Sequence, residues 1–181
     1  SSPANGWHCS PGNCTPPGGL GVMEGKSFLM KYLGGIDATA LCIDSRDVQG
    51  NHSADKIIDF VKMVQPSFGA INLEDISAPR CFEIEDRLRK ELEIPVLHDD
   101  QHGTAVVILA GLINALKITG KTFENLRVVV SGLGAAGSAC IRLLLSVGVE
   151  HIVACDSSGI LYSGRKQNMN AVKEEIAAIT N

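Results

Sequence analysis

The sequence has 181 residues, with 16 basic and 20 acidic side chains for a formal net charge of −4. That length gives one domain and part of another, and the charge excludes the basic excess of a nucleic-acid-binding surface. Hydrophobic residues make up 45% and charged residues 20%, enough apolar material for a packed core, so wholesale disorder is excluded. The longest uncharged apolar stretch, Ala105 to Leu116, is interrupted by Asn114 and falls short of the ~20 residues of a membrane-spanning helix. No membrane association is expected, and the lack of a basic-then-apolar leader points to a cytoplasmic protein.

Residues 1–21 contain no charged side chain, four of the seven prolines and five glycines, and read as a loop-rich or disordered lead. A short helix is expected over 25–34, then a buried strand over 38–43 (ATALCI) and the turn-rich DSRDVQGNHS. Residues 54–65 read as an amphipathic helix with Ile57, Ile58, Val61 and Val64 on one face and Ser53 as N-cap. A strand over 69–73 runs into Glu74 and Asp75; Pro79 then opens a helix laced by Glu83–Arg87, Glu85–Arg89 and Asp86–Lys90 pairs. A short strand, 95–97, precedes His98, Asp99 and Asp100, and a long apolar helix follows from about His102 to Lys117. Beyond it come a strand (127–131), a glycine turn, a helix (135–147), a strand (151–155) ending on Asp156, and a final helix from about Asn168.

Alternating strands and helices predict an α/β fold with parallel sheets. The expected division is a lead (1–21), an acid-bearing α/β part (22–118) and the first βαβ unit of a Rossmann dinucleotide-binding domain (119–181). Of the cysteines Cys9, Cys14, Cys42, Cys81, Cys140 and Cys155, the last four read as small reduced core residues. Cys9 and Cys14, with only His8 nearby, fall short of a zinc set.

Gly132-Leu133-Gly134-Ala135-Ala136-Gly137 stands between a predicted strand and a predicted helix, the context a dinucleotide-binding turn requires. Gly132 makes the turn, Gly134 admits a pyrophosphate, Gly137 lets helix approach strand, and the helix N-terminus with Ala135 and Ala136 offers N–H groups. Asp156, at the end of the next strand, is a candidate ribose acceptor. The plain alternative is a tight turn with no ligand. The acidic pairs Glu74-Asp75 and Asp99-Asp100 end two further strands; gathered carboxylates repel one another unless a cation joins them, and hard oxygens favour Mg²⁺ or Mn²⁺. The alternative there is helix capping. His98 and His102 stand four apart, but one falls at a strand end and the other at a helix start, which argues against zinc.

VMEGK (22–26), INLEDISAPRCFEIEDRL (71–88), HDDQHGTA (98–105) and SGLGAAG (131–137) resemble malic enzymes over roughly Gly19 to Asn181. The resemblance implies oxidative decarboxylation of malate to pyruvate and CO₂ with NAD or NADP and Mg²⁺ or Mn²⁺, in a homo-oligomer. It gives Lys26 the part of general base, Asp99 that of a carboxylate beside it, and Glu74, Asp75 and Asp100 those of metal ligands. It gives Gly132, Gly134 and Gly137 the dinucleotide turn and Asp156 the ribose acid. Three features depart from the family: SPGNCTPPGGLG replaces its glycine-rich loop before the lysine, DVQGNHSA lengthens a connection, and neither Tyr32 nor Tyr162 matches its proton-donating tyrosine. The chain therefore reads as a central part of such an enzyme, inactive alone. The alternatives are an inert nucleotide- or metal-binding remnant and a metal-dependent hydrolase, which leaves the glycine turn unexplained.

Overall fold

The structure, a computed structural model, describes residues 16–180. The expectations for His8, Cys9, Pro11 and Cys14 lie outside the described residues. The chain forms two compact units, Ser1–Val96 and Leu97–Asn181. They meet upstream of the 118/119 boundary expected from sequence.

The first unit opens with α1, Pro16–Gly34. The helix begins inside the stretch expected to be a loop, because Pro16 and Pro17 occupy its first turn, where a missing N–H costs nothing. α2, Ala54–Val64, is capped by the Ser53 side chain, which accepts from the Lys56 N–H, and buries Ile57, Ile58 and Val61. After one 3₁₀ turn come β1, Ile71–Leu73, and α3, Arg80–Glu91, which buries Cys81, Ile84, Glu85 and Leu88. The two helices are tied at their rims by Arg87 to Asp55 at 2.8 Å and Lys62 to Glu91 at 2.6 Å. Of the expected pairs on α3, Glu83–Arg87 and Asp86–Lys90 form at 3.2 and 2.7 Å.

The strand expected over 38–43 is a correction: that stretch carries no strand among the described residues. A strand exists only through a paired neighbour, no strand pairs with this run, and Leu41 stays 45% exposed. The following turn is instead a closed loop, with an Arg46–His52 bridge and a 2.9 Å contact between Ser45 Oγ and His52 Nδ1. β2, Val96–His98, pairs with β1 and carries the chain from the first unit into the second.

The second unit begins with α4, Asp99–Thr119, ended by Gly120 in the left-handed conformation. At 21 residues α4 is long and apolar enough, by length and composition, to cross a membrane. The sequence expectation missed this because it counted only the uncharged run. α4 packs on α5, Ala135–Ser146, through Ala105, Ala139 and Cys140. β3, Arg127–Ser131, and β4, His151–Asp156, pair in parallel from Arg127 opposite His151 to Ser131 opposite Cys155. α5 is the crossover between them. Its Ile141 and Leu144 meet Val149, Ile152, Ala154, Leu161 and Ile176 in the core. A two-residue strand not foreseen in the sequence, β5 (Gly159–Ile160), turns back antiparallel on β4. The last helix, α6, Ala171–Ile179, starts after Asn170, whose side chain caps it by accepting from Lys173 N–H.

Candidate functional site

In the first unit the charged end of β1 faces α1. Lys26, on α1, places Nζ 2.5 Å from Glu74 Oε2, with only 25% of the lysine and 9% of the glutamate side chain exposed. Asp75 follows in the left-handed region at φ 56°, a conformation that is strained for a residue with a side chain and tolerated best by Asn and Asp. Capping of α3 explains neither acid, since the N-cap of that helix is Pro79 and makes no side-chain cap bond. The structure thus joins Lys26 to Glu74, a pairing that sequence reasoning did not draw.

In the second unit Asp99 and Asp100 fill the first turn of α4, where a helix dipole favours negative charge. The N-cap is His98, whose side chain makes no capping bond, so capping does not account for the acids here either. His98 is fully buried, with Nε2 3.5 Å from Asp100 Oδ2. Among the described residues no group of three or more His, Cys, Asp or Glu is gathered as metal ligands.

The glycine turn has the geometry its spacing predicts. Gly132 sits at φ 105° and donates its N–H to the Cys155 carbonyl at 2.8 Å, locking the turn to β4. A Cβ on Gly137 would lie against the Gly132 carbonyl oxygen, with nothing flexible to yield. Gly134, the N-cap of α5, has no atom within 4 Å of a built Cβ, so packing alone does not require a glycine there. The turn opens on a hollow of about 570 Å³ lined by Ile108, Val130, Gly132, Gly134, Ala135 and Ala136.

Asp156 stands where expected, but its acceptor sites are occupied. Arg165 grips it with Nη1 to Oδ1 at 2.9 Å and Nη2 to Oδ2 at 2.5 Å. Lys173 Nζ (2.7 Å) and Asn168 Nδ2 (3.3 Å) also reach Oδ2, and the Ser158 N–H reaches Oδ1 at 2.8 Å. A carboxylate offers about four acceptor sites, so a ribose hydroxyl gains a bond here only by displacing one of these donors. The Arg165 and Lys173 donors hold the Asp156 carboxyl well below the usual carboxylate range. Neither cation was singled out from sequence; the signal available was a strand-end acid followed by basic residues after the hairpin and in the next helix.

A parallel strand–glycine turn–helix–strand unit with an open helix N-terminus is the framework of dinucleotide-binding oxidoreductases. Residues 12–89 match the family described as malic enzyme, N-terminal domain, and residues 101–178 match malic enzyme, NAD binding domain. The chain belongs to the malic enzyme family. It is 53% identical over 170 residues to the bifunctional malic/malolactic enzyme of Bacillus subtilis, a match covering 94% of this chain and 40% of that protein. It is 51% identical to the NAD-dependent malic enzyme of Geobacillus stearothermophilus, over 94% of this chain and 34% of that protein. Among solved structures, the Thermotoga maritima NAD-dependent malic enzyme matches at 50% identity and a TM-score of 0.83, covering 92% of this chain and 43% of that one. The Entamoeba histolytica malic enzyme matches at 50% identity and 0.88, covering 94% of this chain and 37% of that one. The chain thus spans well under half the length of these relatives.

Proposed function

We propose that these residues serve an enzyme that oxidises and decarboxylates malate to pyruvate and CO₂ while reducing NAD or NADP. The observation that carries the reading is the 2.5 Å approach of Lys26 Nζ to Glu74 Oε2, which seats a candidate base against an acid of the strand-end pair. Lys26 takes the C2 hydroxyl proton as the hydride leaves C2, and must be neutral to do so. The bond from C3 to its carboxylate then breaks, CO₂ departs, and the remaining enolate is protonated at C3 to give pyruvate. Glu74 and Asp75, adjacent at the end of β1, supply the carboxylate oxygens that a hard divalent cation prefers, and the resemblance to malic enzymes adds Asp100. When bound, such a cation would polarise the C2 oxygen and the dinucleotide would accept the hydride. The bare Gly134 and the α5 N-terminus give the pyrophosphate its seat.

The test is malate-dependent reduction of NAD(P), with Mn²⁺ present, by the polypeptide that carries these residues. Lys26→Ala is expected to lower kcat by about 10²–10⁴-fold, the usual worth of a positioned proton acceptor. The 181-residue chain by itself is expected to give no turnover, since neither of its tyrosines matches the family's proton donor. A Lys26→Ala enzyme with parental kcat contradicts the assignment of the base.

A further inference from the structure

Helix α4 carries two glycines in opposite surroundings. A Cβ built on Gly111 meets nothing within 4 Å, whereas one on Gly103 would fall on the Asp99 carboxylate, within 2.8 Å of Cγ and 3.3 Å of Oδ2 and closer still to Oδ1. Asp99 lies one turn before Gly103, so the two share a face of the helix. Its short side chain lies back along that face, in the volume an alanine methyl would take. Ordinary contact needs at least 3.4 Å, so a methyl at 103 moves the carboxylate by more than an ångström or turns Asp99 to another rotamer. A helix interior favours alanine over glycine. Local propensity therefore opposes the residue found here, and the slot over it is what glycine provides.

We infer that Gly103 is the positioning residue for Asp99: by lacking a Cβ it leaves the slot in which the Asp99 carboxylate lies. The inference rests on the proposed malate-oxidising function, and on the part the family resemblance gives Asp99, for what that carboxylate does, and on the slot alone for where it is held.

The test has two arms. The first is thermal unfolding of the chain and of Asp99→Ala, Gly103→Ala and the double variant, with Gly111→Ala as control. Gly103→Ala is expected to raise Tm less in the parent, where the Asp99 carboxylate must shift, than once Asp99 is alanine, when the clash is gone and helix propensity remains. Gly111→Ala is expected not to lower Tm. The same Tm shift for Gly103→Ala in both backgrounds overturns the inference. The second arm is steady-state kinetics of the malate-oxidising polypeptide that carries these residues. Gly103→Ala is expected to reduce kcat about a hundredfold, as misplacement by an ångström does, with KM for malate little changed. Parental kcat in Gly103→Ala alongside lost kcat in Asp99→Ala overturns the positioning role and leaves the proposed function standing. Parental kcat in Asp99→Ala overturns the role given to Asp99 itself, and the positioning role falls with it.

Discussion

The end of β1 and the ends of β3 and β4 furnish the carboxyl end of a strand by opposite means. β1 runs into charge: Glu74 held by Lys26 and Asp75 in a strained left-handed turn. β3 runs into bareness: Gly132 takes the positive φ, Gly137 clears the path of the Gly132 carbonyl, and Gly134 faces open space. β4 carries an acid, but one whose oxygens are already committed to Arg165 and Lys173. The difference teaches that an acid at a strand end is not by itself a ligand site; the carboxylate's existing partners decide.

The comparison is broken most severely at Asp156. Its carboxylate and the Arg165 and Lys173 side chains are all at least nine-tenths buried, so Asp156→Asn leaves two cations without their counter-charge. We expect Tm at pH 7 to fall by ~10 °C or more. The pH dependence has a definite sign. A carboxyl lowered in the folded state gives stability that is whole above its unfolded pKa of ~3.9 and is lost as pH falls toward the folded value. The Tm gap between parent and Asp156→Asn should therefore be constant near neutrality and narrow below about pH 4. A gap that does not change with pH contradicts the ion-pair account.

Gly134→Val sharpens the contrast from the other side. A Cβ there meets no protein atom within 4 Å, so the fold is expected to keep its Tm while NAD(P) affinity, read by calorimetry, falls on the order of a hundredfold. Gly137→Ala, whose methyl would strike the Gly132 backbone, is expected to lose affinity and stability together. Parental affinity in Gly134→Val would show that the glycines serve packing alone.

At β1 the expected effects are smaller. Asp75→Ala should weaken Mn²⁺ binding at least tenfold, if Asp75 is a ligand. Asp75→Gly should weaken it as much yet leave the chain more stable than Asp75→Ala by ~1 kcal/mol, because glycine adopts positive φ without strain. Equal Mn²⁺ affinity in parent and Asp75→Ala removes the residue from the metal site.

Most of the elements were legible because their signals are local. The Ile57, Ile58 and Val61 face, the Ser53 cap and the glycine turn each follow from spacing within one segment. The exceptions needed partners distant in sequence. The 38–43 run looks like a strand until one asks what pairs with it. Pro16 to Gly21 looks like a loop because proline and glycine are read as breakers, although prolines fit a first helical turn. At the candidate site, residue types singled out the acids and the glycines. What they could not show was which acid is spoken for: Glu74 by Lys26, and Asp156 by two cations drawn from the hairpin and from α6.

The most direct measurement is chemical rescue of Lys26→Ala in the malate-oxidising polypeptide that carries these residues. If Lys26 accepts the C2 hydroxyl proton, small primary amines should restore malate-dependent NAD(P) reduction, saturably, and more effectively as the free-base fraction rises with pH. A Lys26→Ala enzyme that turns over like its parent, or one whose lost activity no amine restores, contradicts the account.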